Sequence, residues 1–231
     1  MDLDPPLVLF ASHGGGFSPT GAKQILGSGF NELLFLEPPI QEAIATVFTH
    51  VGELSHVIQY MSMQPCGPRL LDLLADSRDQ VHHRLFSQPN ETDSPDRILQ
   101  LNGEPTGQMV VQSLELYHLC RLTMLLYATH VTFPIPRSTA VRGPLLTQLC
   151  PRIQALSGQG FSSPLLLWCA SVLLIALDGG EPFHEILLLF RRLCRDLKVT
   201  NLETLLELLR TFAWVDSAVH DYYSGVWTNL F

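Results

Sequence analysis

The sequence predicts an all-α fold, in which roughly seven to nine antiparallel-packed helices form a single domain around a buried central helix. Apolar residues recur at steps of three and four along most of the chain, which is the period of a helix, and no long alternating strand pattern is present. Residues 164–177, PLLLWCASVLLIAL, are apolar on every side, so the helix that they form must be buried all round. Its apolar run of about 13 residues is shorter than the roughly 20 that cross a bilayer.

Composition indicates a large folded core and argues against two classes of protein. Hydrophobic residues make up 46% and charged residues 16% of the 231 positions, as in globular rather than disordered chains. A formal net charge of −8 argues against a nucleic-acid-binding surface, which needs Lys and Arg to neutralise phosphates. No basic stretch precedes an apolar segment near residue 1, so we expect an intracellular rather than a secreted protein.

The cysteines are predicted to be free thiols within the core. They stand at positions 66, 120, 150, 169 and 194. No two of them lie within four residues of each other, so the paired spacing of a structural zinc site is missing. We therefore expect no metal and no cofactor.

The glycine-rich residues 1–36 are predicted to be a flexible or irregular segment that precedes a helical domain over residues 37–231. Within this segment, His13-Gly14-Gly15-Gly16 is similar to the oxyanion loop of lipases and esterases, whose backbone N–H groups stabilise a tetrahedral intermediate. The sequence contains no Gly-x-Ser-x-Gly elbow to supply the nucleophile. An esterase-like hydrolase that uses His13 to Gly16 therefore remains an alternative, and a protein that is not an enzyme is preferred.

Helix signals divide the first part of the domain. A first helix follows Pro38-Pro39 over residues 40–63, and a second covers residues 68–86. Residues 87–107 are predicted to be a long surface loop with one extended turn at 98–101. A third helix over residues 108–131 ends before a Pro-rich turn, because proline disfavours helical geometry in the residue before it.

The remaining helices lie on both sides of the central one. A short helix over residues 145–156 contains Pro151, which predicts a kink. Glu181-Pro182 begins a helix that extends to residue 197, and Thr200 with Glu203 predicts a capping box for the next helix. A last, aromatic helix is expected near residues 219–230. Cations near a helix end favour its dipole, which explains the basic residues Arg191, Arg192, Arg195 and Lys198 as a solvated face.

Other polar and aromatic residues are assigned structural positions, and none is assigned a catalytic, cofactor-binding or metal-binding role. The residues predicted to lie at the surface are His50, His56, His82 and His83. Those predicted to be caps or surface groups rather than a metal cluster are Asp178, Glu181 and His184. The residues predicted to be core anchors are Trp168, Trp214 and Trp227.

Three short motifs resemble the fungal-specific transcription factor domain, the regulatory region of many fungal binuclear zinc-cluster regulators. The first extends from Leu116-Tyr117-His118 to Val131-Thr132-Phe133-Pro134 and is similar to a long helix followed by a Pro-rich turn. The second, Leu166-Leu167-Trp168-Cys169, resembles its apolar "LLW" helix. The third, Phe212-Ala213-Trp214-Val215-Asp216 with Trp227 beyond it, resembles its closing "FxW" segment. The similarity covers residues 108–231 and, more loosely, 38–63.

The resemblance implies an all-helical regulatory domain that acts in transcription in the nucleus. In that family DNA contact belongs to a separate cluster of six cysteines, which this sequence does not contain. We therefore expect a fragment, a truncated product or a relative that does not bind DNA through these residues. A protein partner or a homodimer is expected, a small-molecule effector is possible, and no membrane contact is expected. A helical protein-interaction scaffold outside transcription remains an alternative.

Overall fold

The computed structural model describes residues 27–63, 66–101, 106–132, 139–158, 163–177 and 181–216. The α-helices of this part of the chain are α1 Glu42–Ser62, α2 Pro68–Phe86, α3 Gly107–Tyr127, α4 Thr139–Gly158, α5 Pro164–Ala176, α6 Glu181–Asp196 and α7 Leu202–Arg210. Two 3-10 helices, Ser28–Phe35 and Pro95–Arg97, and a π-helix, Ala128–Thr132, complete the elements. The described residues form no β-sheet, and the predicted all-α fold is confirmed.

Helix α5 is the buried centre that the sequence predicts. Its N-cap is Ser163, whose hydroxyl accepts a hydrogen bond from the Leu166 N–H at 3.2 Å, and Pro164 fills the first turn. Every residue from 165 to 176 is buried. The helix packs against α3, α4, α6, α7 and the first 3-10 helix, so no side of it faces water.

An aromatic cluster joins α5 to distant parts of the chain. The Trp168 ring lies 5.2 Å from Phe30 and 5.9 Å from Phe212, measured between centroids. The indole N–H of Trp168 donates a hydrogen bond to the Ala213 carbonyl at 2.8 Å. Trp168 is fully buried and Trp214 is 4% exposed, which confirms both as core residues, whereas Trp227 lies outside the described residues.

The segment predicted to be irregular, residues 1–36, contains an ordered element at its end. Residues 28–35 form a 3-10 helix that buries Phe30 and Leu33 completely. The chain enters this helix at Gly27, where φ is +73°, a conformation that favours glycine. The helical part of the chain therefore begins before residue 37, because two apolar side chains three residues apart find places in the core.

Helix α4 is longer than its sequence predicts. It was expected over residues 145–156 with a kink at Pro151, but it extends over Thr139–Gly158 and includes both Pro144 and Pro151. The two prolines are seven residues apart and therefore share one face of the helix, which is exposed. The carbonyls that they leave without an N–H partner can bond to water, so the helix continues through them.

The connection between α2 and α3 is fixed to the start of α1. The Gln41 N–H donates to the Ile98 carbonyl and the Gln100 N–H donates to the Pro39 carbonyl, both at 2.8 Å. Together with the isolated antiparallel bridge between Ile40 and Leu99, these bonds produce the extended turn expected at residues 98–101. They also bury Ile98 and Leu99 against the core.

The first turn of α7 differs from the predicted capping box. The N-cap is Asn201 rather than Thr200, and its side-chain oxygen accepts from the Thr204 N–H at 2.9 Å. Asn is as favourable a cap as Thr, and the helix begins one residue later than expected. The aromatic helix predicted for residues 219–230 lies outside the described residues.

Candidate functional site

A groove between α4 and α6 combines apolar and charged side chains on its walls. It has a volume of about 410 Å³. Its α6 wall presents Glu185, Leu188, Leu189, Arg192 and Arg195. These positions are separated by three, one, three and three residues, so they form one stripe along a helix.

Two hydrogen bonds across the groove hold its walls together. At one end the Gln154 side chain of α4 donates to the Glu185 carboxylate at 2.5 Å. Toward the other end the Arg192 guanidinium donates to the Ser157 carbonyl at 2.9 Å, near the carboxyl terminus of α4. Between these bonds Leu188 is 65% exposed, whereas Leu189 is buried. The groove thus has polar ends and an apolar middle that faces water.

The end of the groove near the carboxyl terminus of α6 is strongly basic. Four of the 14 Lys and Arg residues of the chain fall within eight positions. These four residues, Arg191, Arg192, Arg195 and Lys198, are all exposed, as the sequence predicts. Lys198 has a φ of +57°, and the Val199 N–H donates to the Cys194 carbonyl at 2.8 Å, which closes the helix end.

A second polar cluster lies where α3 meets α4 and the α2–α3 connection. Arg152 of α4 donates to Glu115 of α3 at 2.8 Å and to Glu91 at 3.3 Å. His118 and Arg121 lie one turn apart on α3 and are 7% and 9% exposed. The His118 Nδ1 and the Arg121 Nε have no hydrogen-bond partner.

The electrostatics of this second cluster favour a structural role. Burial lowers the pKa of His118, while Glu91 raises it and Arg152 lowers it by a smaller amount. The carboxylates of Glu91 and Glu115 already supply negative charge here, so the site does not favour an additional anion. The nearby Tyr117 hydroxyl donates to the Pro89 carbonyl at 2.7 Å, which ties the α2–α3 connection to α3.

His82 is the histidine whose predicted position is wrong. It was expected at the surface with His83, but it is 6% exposed, and its Nε2 lies 2.8 Å from the Thr132 hydroxyl oxygen. His83 is exposed, as predicted. Burial, and then Arg78, lower the pKa of His82, so the neutral ring is favoured in the fold. Both members of the pair are buried, so it holds α2 against the π-helix and cannot reach a substrate at the surface.

The cysteines have the character that the sequence predicts, and three of them are core residues. Cys120 and Cys169 are fully buried, Cys194 is 5% exposed, and Cys66 and Cys150 are partly buried. Burial raises the pKa of the Cys169 and Cys194 thiols to about 12. Such thiols remain protonated at neutral pH and are poor nucleophiles.

The other residues considered from the sequence do not come together as a catalytic or metal site. His184 is exposed on α6, whereas Asp178 and the side chain of Glu181 lie outside the described residues. The loop from His13 to Gly16 also lies outside them. Among the side chains that the structure describes, no group of three His, Cys, Asp or Glu residues is arranged to hold a metal ion.

Sequence reasoning missed the groove because its signal is divided between two helices. Leu188 falls outside the apolar stripe of α6, and only the position of α4 turns the neighbouring residues into a recess. No helix in the described ranges is both long and apolar enough to cross a membrane. In comparisons with known proteins, no family model, no curated protein and no solved structure matches this chain.

Proposed function

We propose that the chain is a regulatory domain of a transcriptional regulator, which acts in the nucleus by binding another protein and has no catalytic activity. The observation that carries this proposal is the contact between two of the motifs that resemble the fungal-specific transcription factor domain. Trp168 of the "LLW" motif donates its indole N–H to Ala213, the middle residue of the "FxW" motif. The Phe212 ring of the same motif stacks on Trp168.

This contact supports the resemblance because it gives the motif residues a shared physical role. The two motifs are 45 positions apart in sequence, from Trp168 to Ala213. A buried indole N–H needs a hydrogen-bond acceptor, and an aromatic pair adds about 0.5–1.5 kcal/mol beyond its buried area. The two motifs therefore form one packing unit in the core, as expected for parts of a single domain.

The distribution of charge supports the proposal that another module makes the contact with DNA. The chain carries a net charge of −8, and its basic cluster at the end of α6 is limited to four residues, with Asp196 among them and Glu185 two turns earlier. Specific DNA-binding surfaces place many more cations against phosphate groups. We therefore propose that the domain reaches DNA only through a partner or through a separate DNA-binding module.

A tethering experiment tests this function. The chain is fused to an unrelated DNA-binding domain in a fungal cell, and the output of a reporter gene is measured. We expect the fusion to change this output, whereas a fusion that carries Trp168→Ala loses the effect because the core is disrupted. The exposed substitution Arg69→Glu on α2 is the matched control and retains the effect. A folded fusion that leaves the reporter unchanged contradicts the proposal, as does tight sequence-specific DNA binding by the isolated chain.

A protein-interaction scaffold outside transcription is the second candidate, and the open groove favours it as much as it favours the first. The tethering experiment separates the two candidates, because a scaffold binds its partner without changing the reporter. The hydrolase alternative has a separate test. Ester hydrolysis by the purified chain that disappears in Gly15→Ala, while the melting temperature is unchanged, would favour that activity instead.

A further inference from the structure

We propose that the groove between α4 and α6 binds a short acidic amphipathic segment of a partner protein. This inference deepens the proposed function and rests on it, because it names the class of partner that a regulatory domain of this kind would bind. The occupant is a peptide with two or more carboxylates placed beside one large apolar side chain.

The apolar middle of the groove favours a large apolar side chain as the anchor residue of the peptide. Leu188 is 65% exposed, although it stands between residues that bond across to α4. A single exposed leucine is ordinary, but here it is the apolar wall of a recess of about 410 Å³. A recess of this size accepts one large side chain, and the exposed leucine would lose its contact with water on binding.

The basic side chains of the groove favour acidic residues next to that anchor in the peptide. Among the described residues, the Arg195 side chain makes no hydrogen bond or ion pair, and the Arg192 side chain donates only to the neutral Ser157 carbonyl. Both guanidinium groups lie on the same side of Leu188 along α6. Arginine recognises carboxylates with two parallel hydrogen bonds, so this pair fits an acidic peptide.

The shape of the groove favours a peptide over a small molecule. The stripe from Glu185 to Arg195 covers eleven residues of helix. The ten steps between them give a length of about 15 Å at about 1.5 Å per residue. That length matches about ten residues of a helical peptide laid along α6. Sites for small molecules bury about 70–90% of their ligand, whereas this groove has a wall that remains largely exposed.

Selection from a random peptide library tests the proposal. The full chain is used as bait for a library of peptides about twelve residues long displayed on phage, and enriched peptides are synthesised with a fluorescent label. We expect enriched peptides to carry at least two Asp or Glu residues next to Leu, Phe, Trp or Met. Their affinity should fall as the salt concentration rises from about 0.05 M to about 0.5 M, because the arginines are solvent-exposed.

Matched variants assign the binding to the groove. Arg195→Glu and Leu188→Ser should each weaken peptide binding by about 10-fold or more, as judged by fluorescence anisotropy. The controls Arg69→Glu and Leu71→Ser change residues that are also exposed, on α2, and should alter the affinity by less than about two-fold. Circular dichroism melting curves should show that all four variants fold.

Three outcomes overturn the proposal: no peptide is enriched, the enriched peptides lack acidic residues, or Arg195→Glu binds them unchanged. Sedimentation in which Arg195→Glu converts a dimer into a monomer also overturns it, because a second copy then occupies the groove. The proposed function fails independently, through a silent reporter. A silent reporter with intact peptide binding refutes the transcriptional role and leaves the groove assignment standing, and the reverse result refutes only the groove assignment.

Discussion

Helices α5 and α6 follow each other in sequence and pack together, yet α5 lies in the core and α6 lies at the surface. All of α5 from residue 165 onward is buried, and the hydroxyl of its one polar side chain, Ser171, donates back to the Leu167 carbonyl at 2.8 Å. Helix α6 buries one side, which includes Ile186, Phe190 and Leu193, and exposes arginines and a leucine on the other.

The difference shows which parts of the sequence are committed to folding and which are available for binding. Each residue of α5 from position 165 to 176 is buried in the core, so its side chain contributes to the free energy of unfolding. The exposed residues of α6 contribute little to stability, because an exposed charge or leucine has nearly the same surroundings when the chain is unfolded. Substitutions at these exposed positions are therefore expected to change the stability little. The predictions below test this contrast.

The largest effect is expected at the centre of α5. Trp168→Ala removes a fully buried ring, leaves a cavity and deprives the Ala213 carbonyl of its donor. The free energy of unfolding should fall by about 3–5 kcal/mol, as measured by urea denaturation. A loss below about 1 kcal/mol would mean that the core around α5 is not packed as described.

The second prediction concerns a buried position of α1 where backbone segments approach each other closely. Gly52 of α1 lies beneath the first 3-10 helix, and a Cβ atom there would be 2.9 Å from the Gly27 Cα and 3.0 Å from the Phe212 carbonyl oxygen. Alanine is favoured over glycine in a helix by about 1 kcal/mol, but these backbone atoms cannot move independently. We expect Gly52→Ala to destabilise the fold by about 1–2 kcal/mol.

Gly107, the first residue of α3, provides the control for this substitution, because a Cβ atom there meets nothing within 4 Å beyond its chain neighbours. Gly107→Ala should raise the free energy of unfolding by a few tenths of a kcal/mol, up to about 1 kcal/mol. Equal effects of the two substitutions in urea denaturation would contradict the close approach of the backbones at Gly52.

The third prediction concerns pH and the buried histidines. Burial lowers the pKa of His82 and of His118 below 6.5, so the unfolded state binds more protons than the folded state between the lowered values and 6.5. The free energy of unfolding should therefore fall as the pH decreases through 6.5 and level off below the folded-state pKa values.

Denaturation midpoints measured from about pH 7.5 to about pH 5.5 check this expectation. Burial raises the pKa of Glu32 and Glu53, which acts in the opposite direction, so the comparison is made between variants. His82→Gln should flatten the pH dependence more than His184→Gln, which changes an exposed residue of α6. The same slope in both variants would contradict the burial of His82.

The smallest effect is expected on the exposed side of α6. Leu188→Ala should change the free energy of unfolding by no more than about 0.5 kcal/mol, because its side chain is 65% exposed. Leu189→Ala, one residue further on, removes a buried side chain and should cost about 2–4 kcal/mol. Comparable losses for the two leucines would show that Leu188 belongs to the core.

The fold was predictable where a local signal and burial agree, as in α5. A run of apolar residues between Ser163-Pro164 and a Gly pair can be only a buried helix, and its bounds were predicted to within one residue. The start of α4 was not predictable, because Gly143 and Pro144 normally interrupt helices. They are tolerated here because their side of the helix faces water.

The groove and the buried His82 could not be predicted, because each depends on two segments far apart in sequence. The environment of His82 is set by Thr132, 50 residues away. The groove exists because Ser157 and Gln154 of α4 lie against a helix that begins more than 20 residues later. Helical periodicity describes one helix at a time and contains no information about its neighbour.

The contact between residues 27–36 and residues 211–215 has a consequence for synthesis on the ribosome. The Gly29 N–H donates to the Thr211 carbonyl at 3.0 Å, and the Phe30 ring lies 5.2 Å from Phe212. Gly29 and Phe30 are translated early, whereas Thr211 and Phe212, which they contact, are translated much later. In a nascent chain this contact forms only after residues 211 and 212 have emerged, when helix pairs that are local in sequence can already have formed.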